Sequence, residues 1–309
     1  MKANIDSSSH PTACSSYTWQ QATVWAKEAF KGSLEATDSP RLDAELLLCY
    51  VLSVTQASLY AWPDKRLTKQ QWQRFEHLVT ERCLGKPVAH LLGQQGFWTL
   101  DLQVDASTLI PRPETELLVE VVLELNLPAR ASVVDLGTGS GAIALALASE
   151  HPQWHVVGVD QSPEAVCLAK INAHKCNLEQ VTFYRGNWAQ GLVKDVNKPL
   201  HCVVSNPPYI DAEDPHLSQG DVRFEPLSAL VANDHGMADI NTIAKQAVQL
   251  LAEGGWLAFE HGYDQGLKVA KLLTCLGFDS VTTRKDYNGH DRVTFGQWLG
   301  QHPDKGPDQ

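Results

Sequence analysis

The first third of the chain carries apolar residues at the spacing of amphipathic helices. Residues 17–31 place four apolar side chains on one helical face, from Trp19 to Phe30. A second helix is expected to begin at Pro40 and a third after Thr68. The pattern predicts a small all-α bundle, and no catalytic constellation is visible in it.

The periodicity then changes to that of a strand. In residues 96–105 apolar and polar side chains alternate, which is typical of a half-buried strand. Residues 108–110 form a second extended piece. We expect the two to pair as a β-hairpin that links two domains, and helical spacing resumes at about Glu114.

From residue 131 onward, predicted strands and helices alternate. The strands are 132–136, 155–159, 181–184, 202–205 and 256–260, and the helices are 142–149, 163–174, 238–251 and 265–276. Such alternation predicts a parallel, doubly wound sheet. Residues 280–284 and 292–295 flank Asn288-Gly289, which indicates a final hairpin and therefore an antiparallel last strand.

These patterns divide the chain into five segments. The predicted order is a flexible tail (1–15), a helical domain (16–88), a β-hairpin linker (89–112), a catalytic domain (113–299) and a second flexible tail (300–309). Because the helical domain carries no chemistry of its own, we expect it to dock the substrate.

Composition describes an ordinary globular protein. Of 309 residues, 43% are hydrophobic and 20% are charged. No segment resembles a signal peptide or a membrane span, so we expect a cytoplasmic protein without membrane contact. The seven cysteines are scattered without a C-x-x-C pair, which argues for reduced thiols and against a metal site.

The net charge of −11 is unevenly distributed. Residues 1–85 hold nine basic and nine acidic side chains, so the whole acidic excess falls on residues 86–309. An acidic surface repels a nucleic-acid backbone and suits a basic protein partner or a cationic cofactor. Direct nucleic-acid binding is therefore not expected.

The turn Asn206-Pro207-Pro208-Tyr209 follows a buried apolar strand. Proline has no N–H for a sheet ladder, so the strand must end at Asn206. The Asn206 side-chain carbonyl and the Pro207 backbone carbonyl could together accept the two hydrogens of a planar –NH2 group. Tyr209 offers a ring face for that group. The alternative is a loop that is merely punctuated by prolines.

The segment from Asp135 to Gly141 ends the first strand of the sheet and is rich in glycine. Glycines at 137, 139 and 141 permit a tight turn and close approach of a ligand, with Thr138 and Ser140 between them. Asp160 ends the second strand, where an acid can bind ribose hydroxyls. A cofactor with a nucleoside part is implied.

Asp135 and the glycine spacing favour S-adenosylmethionine over a dinucleotide. An acid at this strand end would face a pyrophosphate unfavourably, whereas it suits a methionine ammonium group or the hydrogen bonds that hold the loop. The turn also lacks the full G-x-G-x-x-G register. Trp188, after the third strand, is placed to meet the adenine, and a packed core indole is the equally open alternative.

Several motifs together resemble the release-factor glutamine methyltransferases, the HemK/PrmC family. They are Leu109-Ile-Pro-Arg-Pro-Glu-Thr-Glu116, Asp135-Leu-Gly-Thr-Gly-Ser-Gly141, Asn206-Pro-Pro-Tyr209 and Asp221-Val-Arg-Phe-Glu-Pro226. The similarity extends over roughly residues 17 to 298. It implies a Rossmann-like class I methyltransferase domain with a seven-stranded sheet.

The resemblance also implies an activity. The family transfers a methyl group from S-adenosylmethionine to the amide nitrogen (N5) of the glutamine in the Gly-Gly-Gln loop of class 1 peptide-chain release factors. Asn206, Pro207 and Tyr209 would be the catalytic residues, with Pro208 in the substrate site. Asn187 departs from the family, which commonly has an acid there. We expect the enzyme to act as a monomer.

The sequence alone leaves two other substrates as alternatives, ribosomal protein L3 and a nucleic-acid base. Ribosomal protein L3 is methylated on glutamine by a related enzyme, whose linker is of a Pro-Arg-Ser type, unlike Pro111-Arg112-Pro113 here. N6-adenine and N2-guanine methyltransferases of nucleic acids share the Asn-Pro-Pro-Tyr turn. They would need a basic track, which the acidic residues 86–309 do not supply.

Overall fold

The computed structural model describes residues 17–33, 37, 39–190 and 200–300. The predicted tails fall outside these ranges, apart from Gly300. The chain forms two compact units, Met1–Leu92 and Gly93–Gln309. No described helix is long and apolar enough to cross a membrane.

The first unit is a bundle of short helices. They are α1 (Trp19–Lys31), α2 (Pro40–Leu52), α3 (Gln56–Ala61), α4 (Lys69–Cys83) and α5 (Val88–Leu92). α1 and α4 begin with capping boxes, in which a threonine and a glutamine three residues later satisfy each other's backbone N–H groups. The sequence analysis missed α3 and α5, because five or six residues are too few for a periodic signal.

The second unit begins with a hairpin whose strands differ from the expected ones. β1 (Gln94–Phe97) pairs with β2 (Leu100–Gln103), and residues 108–110 form no strand. The predicted strand 96–105 therefore contains the turn itself. Trp98 takes a positive φ of 58°, and Glu116 and Glu150 accept its backbone and indole N–H groups at 2.8 and 2.7 Å. These tertiary contacts hold a turn that lacks the usual glycine or asparagine.

The rest of the unit is a seven-stranded sheet with helices on both faces. In chain order the elements are α6 (Glu116–Glu124), β3 (Ser132–Leu136), α7 (Ala142–Glu150), β4 (His155–Asp160), α8 (Pro163–Lys175), β5 (Thr182–Arg185), β6 (Leu200–Ser205), α9 (Ala238–Leu250), β7 (Leu251–Glu260), α10 (Gly266–Leu276), β8 (Phe278–Lys285) and β9 (Asp291–Trp298). A 3-10 helix, Pro113–Thr115, precedes α6, and three more follow β6.

The strand order is β5-β4-β3-β6-β7-β9-β8. The five strands from β5 to β7 are parallel, and β9 is antiparallel to both β7 and β8. This arrangement confirms the predicted doubly wound sheet with an antiparallel last strand. Because the chain runs outward in opposite directions from β3 and β6, a crevice opens at their carboxyl ends.

Two apolar layers enclose the sheet. α6, α7 and α8 pack on one face, and α9 and α10 pack on the other. β3 is buried along its whole length, in agreement with its apolar residues Val133, Val134 and Leu136, and its two polar residues, Ser132 and Asp135, are buried as well. The crevice therefore opens at the end of a fully buried strand.

Asn172 on α8 connects three elements of this unit. Its side chain is fully buried. Its Oδ1 accepts the backbone N–H of Gln103 at 2.7 Å, and its Nδ2 donates to the carbonyls of Gln103 and Ser140, each at 2.9 Å. Asn172 thereby bonds the backbone N–H and carbonyl of Gln103 at the end of β2, as a neighbouring strand would. It also anchors the glycine-rich turn through the Ser140 carbonyl.

We predict that Asn172→Ala lowers the free energy of unfolding by about 2–4 kcal/mol, because three buried backbone groups lose their partner. Denaturant unfolding of the purified variant measures the change. Asn241→Ala is the matched control, since among the described residues its half-buried amide donates to the carbonyl of Met237, just before α9. A change within about 0.5 kcal/mol is expected. A similarly small change for Asn172→Ala would contradict the role given to it.

Candidate active site

An open cleft lies at the carboxyl ends of β3, β4 and β6. Its walls include Gly137, Thr138, Gly139, Ser140, Asp160, Asn187, Trp188, Asn206 and Pro208. The structure thus brings the glycine-rich turn, the acid after β4 and the Asn-Pro-Pro-Tyr turn into one site.

The glycine-rich turn is tied to β4 through its backbone. The N–H groups of Gly137 and Thr138 both donate to the carbonyl of Val159, at 2.8 and 3.0 Å. Gly137 and Gly139 have φ values of 77° and 54°, which favour glycine strongly. A Cβ on Gly137 would lie 3.1 Å from the Trp188 ring. The turn therefore leaves a cradle that a side chain would fill.

Gly141 faces the apolar core, whereas Gly137 and Gly139 line the cleft. It also has a positive φ, of 86°, but a Cβ there would meet Ala169, Phe183 and Leu145 at 3.2–3.3 Å. These neighbours belong to the apolar core, and Gly141 does not line the cleft. Its conformation allows the turn to enter α7.

Asp160 ends β4 with both carboxylate oxygens engaged. One accepts the N–H of Gly139 and the other that of Ser162, each at 2.9 Å. Burial raises the pKa of Asp160, and the bonds from Ser162 and Gly139 act in the opposite direction. Each oxygen can still accept a further hydrogen bond, as the hydroxyls of a ribose would require.

Asp135 lies beneath the turn and does not line the cleft. Its Oδ2 accepts the Thr138 hydroxyl at 2.6 Å. Within the part of the chain that the structure describes, its buried Oδ1 has no hydrogen-bond partner. Burial raises the pKa of Asp135 to about 7, against the Thr138 bond. Two roles were considered for Asp135 from the sequence, binding of the methionine ammonium group and hydrogen bonding to the loop. The structure shows the hydrogen bond to the loop.

The position of Trp188 agrees with both roles considered for it, contact with the adenine and packing in the core. It lines the cleft, and it also packs against the apolar layer on the α9 side. Its backbone has a positive φ of 51°. Burial raises the pKa of Asp239, and a hydrogen bond from the Trp188 side chain acts in the opposite direction. The indole is thus held in place while one part of it remains at the cleft wall.

Asn206 follows β6, whose last residue, Ser205, donates its hydroxyl to the Leu136 carbonyl at 2.6 Å. The Asn206 Nδ2 donates to Oγ1 of Thr115 at 3.2 Å. One amide hydrogen of Asn206 is thus bonded to Thr115, and Oδ1 is the side-chain acceptor that remains for a ligand. Asn206 lines the cleft next to Pro208.

Pro207 and Tyr209 do not line this cleft. Pro207 is buried, whereas Tyr209 is partly exposed. The Tyr209 carbonyl accepts Nε2 of Gln265 at 3.0 Å, and its hydroxyl donates to Oε1 of Glu260 at 3.4 Å. Burial, followed by the charge of Glu260, raises the pKa of Tyr209. One bond therefore holds the backbone of Tyr209, and the other holds its ring through the hydroxyl.

The linker supplies cleft residues that the sequence analysis did not identify. Ser107, Thr108, Leu109, Pro111 and Thr115 line the same cleft. The Thr108 hydroxyl is buried without a hydrogen-bond partner among the described residues, so it is suited to a ligand. The Pro-Arg-Pro motif marked this segment as distinctive, but no local pattern indicated its proximity to β3.

A short segment after β6 forms the facing wall. Ser228 and Ala229 line the cleft, and Glu225 on the same segment forms an ion pair with Arg112 of the linker. Burial raises the pKa of Glu225, and Arg112 lowers it. Among the described residues no group of three or more His, Cys, Asp or Glu side chains could hold a metal ion.

Two family models match the chain. The PrmC N-terminal domain matches residues 21–93, and the methyltransferase small domain matches residues 113–221. The first falls on the helical unit, and the second covers the glycine-rich turn, Asp160 and Asn206.

Curated relatives match over nearly the whole length. A release factor glutamine methyltransferase of Vibrio cholerae is 49% identical over 283 residues, which cover 92% of this chain and 98% of the relative. The Escherichia coli enzyme of that name is 45% identical and covers 89% and 98%. The one from Pseudomonas aeruginosa is 50% identical and covers 84% and 94%.

We predict that Asp160→Ala weakens the affinity for S-adenosylmethionine by about 10-fold or more, because hydrogen bonds to a charged group are lost. Calorimetric titration measures the affinity, and circular dichroism checks the fold. Glu164→Ala is the control, since Glu164 is an exposed acid in the first turn of α8, close in sequence to Asp160 and outside the cleft. Equal affinities in the two variants would mean that Asp160 is not a cofactor ligand.

Proposed function

The chain belongs to the release factor glutamine methyltransferase family, and on that premise we propose its reaction and site. A methyl group is transferred from S-adenosylmethionine to the side-chain amide nitrogen (N5) of the glutamine in the Gly-Gly-Gln loop of class 1 peptide-chain release factors. The observation that carries the proposal is the hydrogen bond from Asn206 Nδ2 to Thr115 Oγ1, which leaves Oδ1 of the amide as an acceptor for a substrate –NH2 group.

The glycine-rich turn and the acid after β4 support the cofactor assignment. Gly137, Thr138, Gly139 and Ser140 would hold it through the backbone cradle, and Gly141 contributes by permitting the turn. Asp160 would accept the ribose hydroxyls, and Trp188 would lie against the adenine. Asn187, where relatives commonly have an acid, keeps a carbonyl that can accept the adenine amino group.

Catalysis in this proposal depends on positioning. An amide nitrogen is a weak nucleophile because its lone pair is delocalised into the carbonyl. Asn206 Oδ1 and the Pro207 carbonyl accept its two N–H bonds, aim the nitrogen and stabilise the positive charge that develops on it. Pro208 and the Tyr209 ring pack against the glutamine side chain.

When bound, S-adenosylmethionine supplies an electrophilic methyl group on a sulfonium. The amide nitrogen held by Asn206 and Pro207 would take up this methyl group and would release one proton. The alkylated amide is acidic, so no strong general base is needed.

The choice of substrate rests on charge and on the linker. A nucleic-acid base would have to leave its stack and would need a basic surface, whereas residues 86–309 carry the acidic excess. Pro111-Arg112-Pro113 favours release factors over ribosomal protein L3. We also propose that the helical domain docks the body of the release factor, and that the enzyme acts in the cytoplasm as a monomer.

A labelling experiment tests the substrate. We expect radiolabelled S-adenosylmethionine to label a class 1 release factor and to leave unlabelled the same factor with its Gly-Gly-Gln glutamine changed to alanine. Ribosomal protein L3, unmethylated DNA and ribosomal RNA serve as the competing substrates. Label in any of these three, or in the alanine variant of the factor, would refute the assignment.

We predict that Asn206→Ala reduces turnover roughly 10²-fold or more, which is the scale expected when a positioned, charge-stabilising acceptor is removed. Cofactor affinity should change by no more than a few-fold. Steady-state kinetics with a Gly-Gly-Gln peptide measures the loss, with Asn241→Ala as an amide control outside the cleft. Near-normal turnover of Asn206→Ala would contradict the amide-gripping role.

A further inference from the structure

Gln265 is a buried glutamine that bonds to the exit of the Asn-Pro-Pro-Tyr turn. It lies just before α10 and is 4% exposed. Its Nε2 donates to the carbonyls of Tyr209 and His235, at 3.0 and 3.2 Å. Its Oε1 accepts the backbone N–H of Gly262 at 2.9 Å. This side chain thus connects the turn after β6, the loop before α9 and the loop after β7.

The bonds of Gln265 define the orientation of its amide. The nitrogen has two hydrogens, and each is directed to a backbone carbonyl, whereas the oxygen faces a backbone N–H. The opposite orientation would place the oxygen against two carbonyls and the nitrogen against an N–H group. The amide therefore has a single compatible orientation, and in it the Tyr209 carbonyl is held at a defined position.

Gly236 makes a second, independent contact with the Tyr209 carbonyl. A Cβ on Gly236 would lie 2.0 Å from the Tyr209 oxygen and 2.5 Å from Nε2 of Gln265. The loop before α9 therefore approaches the turn more closely than any side chain at this position would permit. Gly236 has a positive φ of 80°, which also favours glycine. The exit of the turn is thus held by a side chain and by a close backbone contact.

The turn is held at both ends. At its entry, the Asn206 amide donates to Thr115. At its exit, Gln265 donates to the Tyr209 carbonyl. Between these points each proline fixes its own φ. The positions of the two ends therefore determine the remaining ψ angles, and with them the direction of the Pro207 carbonyl.

We propose that Gln265 is a positioning residue for the methyl transfer: by holding the Tyr209 carbonyl, it directs the Pro207 carbonyl toward the amide of the substrate. This role rests on the proposed function, because the direction of the Pro207 carbonyl affects catalysis only if that carbonyl accepts from a substrate –NH2 group. Gln265 does not line the cleft, and in this role it touches neither substrate nor cofactor.

The decisive variant is Gln265→Met, which keeps the length of the side chain and removes its three hydrogen bonds. We expect kcat with a Gly-Gly-Gln peptide to fall about 10-fold at saturating S-adenosylmethionine, because a shift of a fraction of an ångström misdirects the Pro207 carbonyl. The affinity for S-adenosylmethionine, measured by calorimetric titration, should be unchanged. Kinetics are recorded well below the unfolding temperature of each variant, so that only folded protein is compared.

Gln297→Met is the matched control. Gln297 is a partly buried glutamine of β9 whose Nε2 donates to the Gly254 carbonyl at 2.9 Å. Gly254 lies toward the amino end of β7, away from the cleft. The control variant also loses a hydrogen bond from a glutamine to a backbone carbonyl, but its kcat should be unchanged. An equal fall of kcat in the two variants would show a general effect of lost stability and would overturn the positioning role.

Combination with Asn206→Ala tests whether Gln265 acts on the same interaction with the substrate. In the proposed reaction, Asn206 and the Pro207 carbonyl grip one –NH2 group together. Once Asn206 has lost its acceptor, the direction of the Pro207 carbonyl matters less. The double variant of Gln265→Met and Asn206→Ala should therefore lose less activity than the product of the two single losses. Multiplicative losses would show that Gln265 acts elsewhere.

Gln265→Asn is a second variant in case Gln265→Met does not fold. It keeps a polar amide but is one methylene shorter, so it cannot bond all three loops at once. We expect it to fold and to have a kcat between those of the unaltered protein and Gln265→Met. A folded Gln265→Asn variant with normal kcat would contradict the proposed role.

Two further results would overturn the positioning role of Gln265. One is an unchanged kcat in folded Gln265→Met; the other is a large loss of affinity for S-adenosylmethionine, which would place the effect in the cofactor site. Both are distinct from failure of the proposed function. In that case the unaltered protein would not label the release factor at all.

Discussion

The parallel pairing of β3 with β6 is the constraint on which the site depends. Asp135 is in register with Val204, so the glycine-rich turn and the Asn-Pro-Pro-Tyr turn leave the sheet side by side. The bond from the Ser205 hydroxyl to the Leu136 carbonyl fixes this junction at 2.6 Å. A slip of one residue would turn each side chain of the strand to the opposite face and separate the two turns.

Around this junction the protein keeps carboxyl groups where the fold would favour apolar residues. Asp135 and Glu260 are both almost fully buried, and burial raises the pKa of each to about 7. Each carboxylate accepts a hydroxyl from a residue of the site, Thr138 or Tyr209. Asp135 therefore holds the glycine-rich turn and Glu260 holds the Asn-Pro-Pro-Tyr turn by hydrogen bonds from buried positions. The burial of these carboxyl groups lowers the stability of the fold.

Residues at the end of the linker and in the 3-10 helix after it complete the site, although they are distant in sequence from the Asn-Pro-Pro-Tyr turn. Thr115 is 91 positions from Asn206, yet it accepts the asparagine amide. Arg112, in the same short motif, forms an ion pair with Glu225 on the segment that provides the opposite wall. The Pro-Arg-Pro-Glu-Thr motif thus has a physical role in joining the linker to both sides of the cleft.

Periodicity and turn chemistry were enough to predict the helical bundle, the alternating strands and helices and the antiparallel last strand, because these depend on contacts between near neighbours. They also indicated the turns at Asp135 and Asn206, where glycine and proline leave few backbone choices. The turn at Trp98 and the hydrogen bond from Asn206 to Thr115 were not predictable in this way. Both depend on side chains that meet only after the sheet has assembled, and no local pattern encodes such a meeting.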